Sequence, residues 1–304
     1  MKNKIIIITG PTGVGKTKLS IDIAKQFNGE IISADSCQVY KGFDIGSAKI
    51  TKEEMQGVSH YLIDVNEPSQ EYSAGDFAKQ SKEIIKKIQK KNKLPIIVGG
   101  TGLYINALLF PFSTDAKRDD EYRNELQKNV ALYGKQYVYD LLMKVDSETA
   151  NVLNVNQTDR IIRALEIYKN TGIKKSELVK QTTSEYDYLL IVLDRDRQEV
   201  YDLINKRVDK MIDDGLVLEV KNLLMNGVSK NDPAMKAIGY KEIVSFLDNE
   251  CSLSEAINYI KQKSRNYAKR QITYFKKMQN TVFINYNEYE KIINTIKKFL
   301  KEEK

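Results

Sequence analysis

The sequence predicts an α/β protein: a parallel sheet with helices on both faces, interrupted by an all-helical insertion. Three observations carry that prediction. β-Branched apolar runs stopped by glycine, Lys4–Thr9 before Gly10-Pro11 and Pro95–Val98 before Gly99-Gly100, alternate with amphipathic segments through the first 110 or so residues. Strand-like runs then vanish from about 115 to 184, where helical periodicity takes over. A β-branched run returns at Tyr188–Leu193. Residues 1–114 and 185–304 are therefore expected to form one core domain, with 115–184 as an insertion between two strands of its sheet.

The elements follow in order. After the first strand, Leu19, Ile23 and Phe27 recur at helical spacing. A short strand Glu30–Ser33 runs into Ala34-Asp35-Ser36, and a loop-rich stretch with Gly42, Gly46 and Pro68 precedes a helix over about Asp76–Lys91. The run Pro95–Val98 is the next strand, with a helix from Leu103. Within the insertion, helices are expected near 119–133, 135–145 and 158–170, the last closed by Thr171-Gly172 in a C-cap pattern. Beyond Asp194 helices dominate, the longest over about Ser254–Gln279, followed by a strand Val282–Asn285 and a terminal helix.

Composition narrows the classes of function. The 304 residues are 41% hydrophobic and 29% charged, a globular composition. The apolar run Ile5–Ile8 is too short for a signal-peptide core or a bilayer span, so a cytoplasmic protein without membrane association is expected. Two cysteines argue against a disulfide framework and point to a reducing compartment; a single histidine excludes multi-histidine metal sites and argues against a Ser-His-Asp hydrolase. The formal charge of +7 suits a polyanionic partner.

Gly10-Pro-Thr-Gly-Val-Gly15-Lys16-Thr17 matches G-x-x-x-x-G-K-[ST], a phosphate-binding loop between strand and helix. Its glycines let backbone N–H groups curl around phosphate oxygens, the following helix N-terminus adds partial positive charge, Lys16 adds a full one, and Thr17 can offer its hydroxyl to Mg²⁺. The loop says nothing of what happens to the phosphates. A switch or motor NTPase ends a later strand in a metal-holding acid; here Pro95–Val98 ends in Gly99-Gly100-Thr101-Gly102. That turn is expected at the same sheet edge, with Thr101 presenting its hydroxyl and backbone N–H groups to an anion, or it is merely a tight turn into the next helix. Asp35, past the second strand on that edge, reads as metal ligand, acceptor-orienting group or general base, against an ordinary Asx turn. His60 receives no role.

The segment Lys261–Lys277 carries seven cations and no acid, with Lys261, Arg265 and Lys269 aligned at four-residue steps and Ile260, Tyr267 and Phe275 able to face the core. Such a stripe can track a phosphodiester backbone or be an ordinary solvated face. Arg160 and Arg163, opening an insertion helix, and Arg207 read alone as surface cations.

Taken together, several segments resemble the bacterial tRNA dimethylallyltransferases. They are the phosphate loop, Ile32-Ser-Ala-Asp35-Ser-Cys-Gln38-Val-Tyr40-Lys-Gly42-Phe-Asp-Ile-Gly46-Ser-Ala-Lys49, Tyr72-Ser-Ala-Gly-Asp76-Phe77, Gly99-Gly-Thr-Gly-Leu-Tyr104, Asp159-Arg-Ile-Ile-Arg-Ala-Leu-Glu166 and Ala237-Ile-Gly-Tyr-Lys-Glu242. The resemblance runs from Lys4 to about Phe283. Two departures stand out: His60-Tyr61 where the family commonly has two histidines, and Cys37 at a position that varies.

The resemblance implies a P-loop NTPase-like core, a helical insertion that grips the anticodon stem-loop of tRNA, and dimethylallyl diphosphate as donor in place of a nucleotide. It implies transfer of the five-carbon group to N6 of the adenosine next to the anticodon, in tRNAs reading codons that begin with U, with release of diphosphate. Gly10 and Thr12, Gly13, Val14, Gly15, Lys16 and Thr17 would hold the diphosphate, with Mg²⁺ near Thr17. Asp35, Ser36, Cys37 and Gln38 would meet the extruded adenine, with Asp35 as general base. Thr101 and Arg207 would stabilise charge on the leaving diphosphate, and Thr101 would also touch the tRNA. Arg123 and Asp159, Arg160, Ile161, Ile162 and Arg163 would contact tRNA from the insertion, and Lys269 and Arg270 would meet its backbone. No obligate protein partner is implied, and the scarcity of histidine and cysteine suits a reaction without redox cofactor or covalent nucleophile. Competing readings are a P-loop small-molecule kinase, an adenylate isopentenyltransferase acting on free AMP, and a nucleotide-gated RNA-binding protein.

Overall fold

A computed structural model describes residues 4–110, 118–178 and 183–302. The chain divides into two compact units, Met1–Leu109 with Ser184–Lys304, and Phe110–Thr183. The expected domain boundary at 114/115 lies outside the described residues.

The larger unit is built on a six-stranded sheet in which every pairing is parallel: β1 (Lys4–Thr9), β2 (Gly29–Ser33), β3 (His60–Tyr61), β4 (Leu94–Val98), β5 (Asp187–Asp194) and β6 (Thr281–Asn285), in the order β3-β2-β4-β1-β5-β6. Parallel strands have to be buried on both faces, which is why β1 reads Lys-Ile-Ile-Ile-Ile-Thr with all six residues buried. Ile6, Ile8, Ile31, Ile96 and Ile191 pack on α1 (Lys16–Gln26) and on the last helix, α12 (Tyr289–Lys301). The alternating set Ile5, Ile7, Ile32, Ile97 and Leu190 is buried on the opposite face, where α2 (Ala74–Lys90) and α3 (Gly102–Leu109) lie. Helices cover both faces, as the sequence predicts.

Register is what assembles the site. Ile8 of β1 pairs with Val98 of β4 and Ile191 of β5, and Ser33 of β2 pairs with the same Val98. Gly10, Asp35 and Gly99 therefore leave the sheet at one carboxyl edge, where ligands of open α/β sheets bind. After β5 come α8 (Arg197–Asp213), α9 (Leu216–Met225), α10 (Tyr240–Leu247) and the long α11 (Leu253–Phe275), with a core around Phe43, Tyr240, Val208 and Ile260. Among the described residues no helix is long and apolar enough to cross a membrane.

Among its described residues the smaller unit carries α4 (Asp120–Tyr133), α5 (Lys135–Val145), α6 (Ser147–Asn151) and α7 (Thr158–Thr171), around Leu126, Val138, Leu142, Ile161 and Leu165, and a short 3-10 turn at Lys175–Glu177. Gly172, left-handed at φ 69°, closes α7 as the C-cap pattern predicts. A carboxylate fixes the packing. Glu166, fully buried, receives Arg123 Nε at 2.7 Å and Nη2 at 2.8 Å, the Asp119 N–H at 2.7 Å, and Arg163. Burial alone would raise its pKa; the hydrogen bonds from Arg123, Asp119 and Arg163 outweigh that and hold it down at about 2. Because the folded value lies below the ordinary 4.5, the stabilisation is complete above pH 4.5 and disappears as pH falls through about 2. It amounts to roughly 3 kcal/mol. Hydrogen exchange across 118–178 is expected to show this unit loosening in that acid window. Glu166→Gln should already be looser at pH 7, and an acid profile identical to wild type would contradict the assignment.

Candidate active site

The Gly10–Thr17 loop leaves β1 and enters α1, with Gly13 and Gly15 at φ 83° and 103°, a left-handed backbone open to glycine at little strain. Thr12, Gly13, Gly15, Lys16 and Thr17 line one wall of a cavity of about 310 Å³. Gly10 seats against β5, and Val14 turns its side chain into the core while its N–H reaches the Pro11 carbonyl at 3.3 Å, so neither presents a side chain to that cavity. Lys16 Nζ donates to the carbonyls of Gly10 at 3.0 Å and Pro11 at 2.9 Å. Burial, then repulsion from Arg207, brings its pKa down to about 8 despite attraction from Asp35. A cation held this way gains from an anion arriving beside it.

Asp35 closes the opposite wall. Its Oδ1 accepts the N–H groups of Cys37 at 2.8 Å and Gln38 at 3.3 Å. The Asx turn and the site residue are thus one group, since a single oxygen shapes the loop while the carboxylate lines the cavity. Arg207, from α8, donates from Nη2 to the Ser47 carbonyl at 3.1 Å. Burial lowers its pKa, and the charge of Asp35 works against that. Lys16, Arg207 and Asp35 thus set two cations and one carboxylate around one cavity.

A second cavity of about 360 Å³ adjoins the first, and Thr12, Asp35, Arg207 and Tyr267 line both. The Asp35–Gln38 segment straddles them: Gln38 faces the first, while Ser36 and Cys37 face the second. Gln38 Nε2 also reaches the Ser47 and Ala48 carbonyls, at 3.4 and 3.2 Å. Burial, then Asp35, pushes the Cys37 thiol up. Arg270 lines the second cavity, and Lys269 beside it is exposed.

Three expectations need correction. Thr101 does not present its own backbone N–H to an anion, because that N–H donates to Ala34 O at 3.1 Å, and the N–H groups of Gly99 and Gly102 are likewise taken, by Ile8 O at 3.2 Å and Gly100 O at 3.1 Å. What Thr101 offers is its hydroxyl, which accepts from the Ser36 N–H at 3.1 Å. The basic stripe on α11 is in good part internal: Lys261 pairs with Asp209 at 2.5 Å, Lys263 with Glu242 at 2.8 Å, and Arg265 donates to Asn205 at 2.6 Å. These cations fasten α11 to α8 and α10, which leaves Lys269, Arg270, Lys276 and Lys277 as the outward cations of the stripe. Ile161 and Ile162, 0% and 3% exposed, belong to the core of the smaller unit and have no surface with which to touch RNA. Asp159 and Arg160 in the preceding turn are exposed. Arg123 and Arg163 are engaged with Glu166 as described.

Sequence reasoning also missed contributors. His60 lines the first cavity through its pairing with Ile31. Tyr267 and Gln271, one helical turn apart on α11, face the cavities. Their signal is a polar residue continuing the inner stripe of Ile260, Tyr267 and Phe275. Glu219 on α9 collects the N–H groups of Asp44, Ile45 and Gly46 at 3.0, 2.7 and 3.2 Å, with the Tyr240 hydroxyl at 2.7 Å, and so shapes the loop that carries Ser47.

Comparison with known proteins places the chain in a family. The model of the IPP transferase family matches residues 38–278. The tRNA dimethylallyltransferase of a Thermoanaerobacter species is 51% identical, covering 99% of this chain and 98% of its own, and that of Caldanaerobacter subterraneus is 47% identical over the same shares. The crystal structure of a full-length tRNA isopentenylpyrophosphate transferase from Bacillus halodurans superposes with TM-score 0.75 at 43% identity, covering 98% of this chain and 97% of that one. A eukaryotic dimethylallyltransferase captured acting on tRNA superposes with TM-score 0.86 at 29% identity, covering 98% and 80%. With the match spanning most of the chain, and relatives aligned along nearly all of it, this chain belongs to the IPP transferase family.

Proposed function

We propose that the protein transfers the dimethylallyl group of dimethylallyl diphosphate to N6 of the adenosine beside the anticodon in tRNAs reading codons that begin with U. The observation that carries this reading is the pair of cavities sharing Thr12, Asp35, Arg207 and Tyr267. One holds the phosphate loop and suits the donor; the other, bordered by Arg270 and Lys236, suits a base taken out of its stack. Reaction belongs where they meet.

The chemistry follows from the charges. The N6 lone pair attacks the allylic C1, the C1–O bond breaks, and its electrons leave with the diphosphate. Lys16, Arg207 and the loop N–H groups stabilise that growing negative charge. N6 becomes acidic as its bond to carbon forms, and its proton passes to Asp35, which need not be a strong base. Among the described residues no cluster of three or more histidine, cysteine or acidic groups could hold a metal ion. Thr17, exposed on the cavity wall, would offer its hydroxyl to a Mg²⁺ accompanying the diphosphate. When bound, such an ion would neutralise part of the leaving group's charge.

The helical unit is proposed to grip the anticodon arm, with Asp159 and Arg160 on its exposed surface, and Lys269 and Arg270 to meet phosphates. Replacing both Lys269 and Arg270 by Ala is expected to weaken tRNA binding and to flatten the slope of log K against log salt by about 1.5 to 2. A slope equal to wild type would return these residues to an ordinary solvated face. The function itself is tested by incubating pure protein with the five-carbon donor and unmodified tRNA, beside AMP and beside ATP with candidate alcohols. The expected result is a mass gain of one dimethylallyl group on tRNA without ATP. Transfer to AMP in preference, or ATP-dependent phosphorylation alone, would overturn the reading.

A further inference from the structure

Gln271 of α11 is 5% exposed, and both ends of its amide are used. Oε1 accepts the Thr12 N–H at 3.0 Å, and Nε2 donates to the Gly100 carbonyl at 3.0 Å. The side chain thus ties the phosphate loop to the turn that carries Thr101. The fit is tight on both sides. A Cβ at Gly100 would lie 2.0 Å from Gln271 Nε2, and one at Gly99 would lie 2.2 Å from the Ala34 carbonyl oxygen. The two glycines therefore let Gln271 and the β2 exit close on the turn. Thr12, the residue held, is one of the four that border both cavities.

We propose that Gln271 is a positioning residue for group transfer. It fixes the loop that grasps the leaving group at a set spacing from Asp35, the proposed base, and from the turn that carries Thr101. Glutamine suits this bridge because one planar group supplies an acceptor for an N–H and a donor for a carbonyl. The inference rests on the transfer reading above and adds a residue to it. Displacing reacting groups by about 1 Å costs on the order of 10²-fold in rate. The expected signature is accordingly in turnover at saturation rather than in affinity.

The test uses the full chain with Gln271→Met, which keeps the length and loses both hydrogen bonds, and Gly100→Ala, whose methyl displaces the amide from the other side. Transfer rate at saturating donor and tRNA, both Michaelis constants, binding of inorganic diphosphate, melting temperature and hydrogen exchange of the Thr12 amide are compared with wild type. Where the variant is folded, we expect turnover down by about 30- to 100-fold, diphosphate affinity and the tRNA Michaelis constant within about threefold, and faster exchange at Thr12. Unchanged turnover in folded Gln271→Met would overturn the inference, and so would a loss explained by diphosphate affinity alone. If Gln271→Met fails to fold, Gly100→Ala decides by the same criteria. Absence of transfer by wild type is a separate result: it ends the functional reading, and this inference with it.

Discussion

Asp35→Asn is expected to lower turnover by about 10²- to 10⁴-fold while tRNA affinity stays within a small factor of wild type. Asparagine is the informative replacement because Asp35 Oδ1 does two jobs. Its hydrogen bonds from the Cys37 and Gln38 N–H groups shape the loop, and an amide oxygen can accept both, though without the help of the charge. The substitution therefore removes the negative charge and the proton acceptor without dismantling the Asx turn. Proton removal accompanies or follows carbon–nitrogen bond formation, so the deficit should fall on turnover and not on either Michaelis constant. It also removes the carboxylate that favours the charged forms of Lys16 and Arg207. Turnover equal to wild type would remove Asp35 as the base and leave it a turn residue.

Lys16→Met should weaken diphosphate binding by about 10- to 100-fold, the worth of a charge-assisted hydrogen bond. The pH dependence is the sharper part. In the unliganded chain the ammonium titrates near pH 8, and bound diphosphate favours its protonated form. Binding should take up protons above pH 8, and affinity should fall by up to about tenfold per pH unit there. Calorimetry in buffers of different ionisation enthalpy measures that uptake, and Lys16→Met should abolish it. Stability moves the other way. The folded pKa lies below the ordinary 10.5, so the charge opposes folding fully below about pH 8, and the penalty fades as pH rises from there toward 10.5. The variant is accordingly expected to melt no lower than wild type at pH 7. Affinity that stays flat from pH 7 to beyond 9 in wild type would contradict the role given to Lys16.

What the sequence made legible was local. β1 and its glycine-rich loop are a buried strand meeting a helix start, and both signals lie within Lys4–Gln26. The insertion helices fall at Asp120–Tyr133, Lys135–Val145 and Thr158–Thr171, close to the expected 119–133, 135–145 and 158–170, because caps and periodicity are short-range. The strand order was not legible, since it is set by pairings such as Ile31↔Ile96 and Ile7↔Leu190 between distant segments. β3 escaped because two residues cannot show a period, and with it went the cavity position of His60. Tyr267 was expected in the core; it stands between two cavities that exist only once α11 packs over the sheet edge. Lys261, Lys263 and Arg265 read as free cations because their partners lie on other helices.

Cys37 stands next but one to Asp35, on the cavity assigned to the nucleobase. Burial and the neighbouring carboxylate keep its sulfur protonated, and it is the thiolate that peroxides and electrophiles attack. A sulfur atom can thus line the pocket without offering oxidants a ready handle.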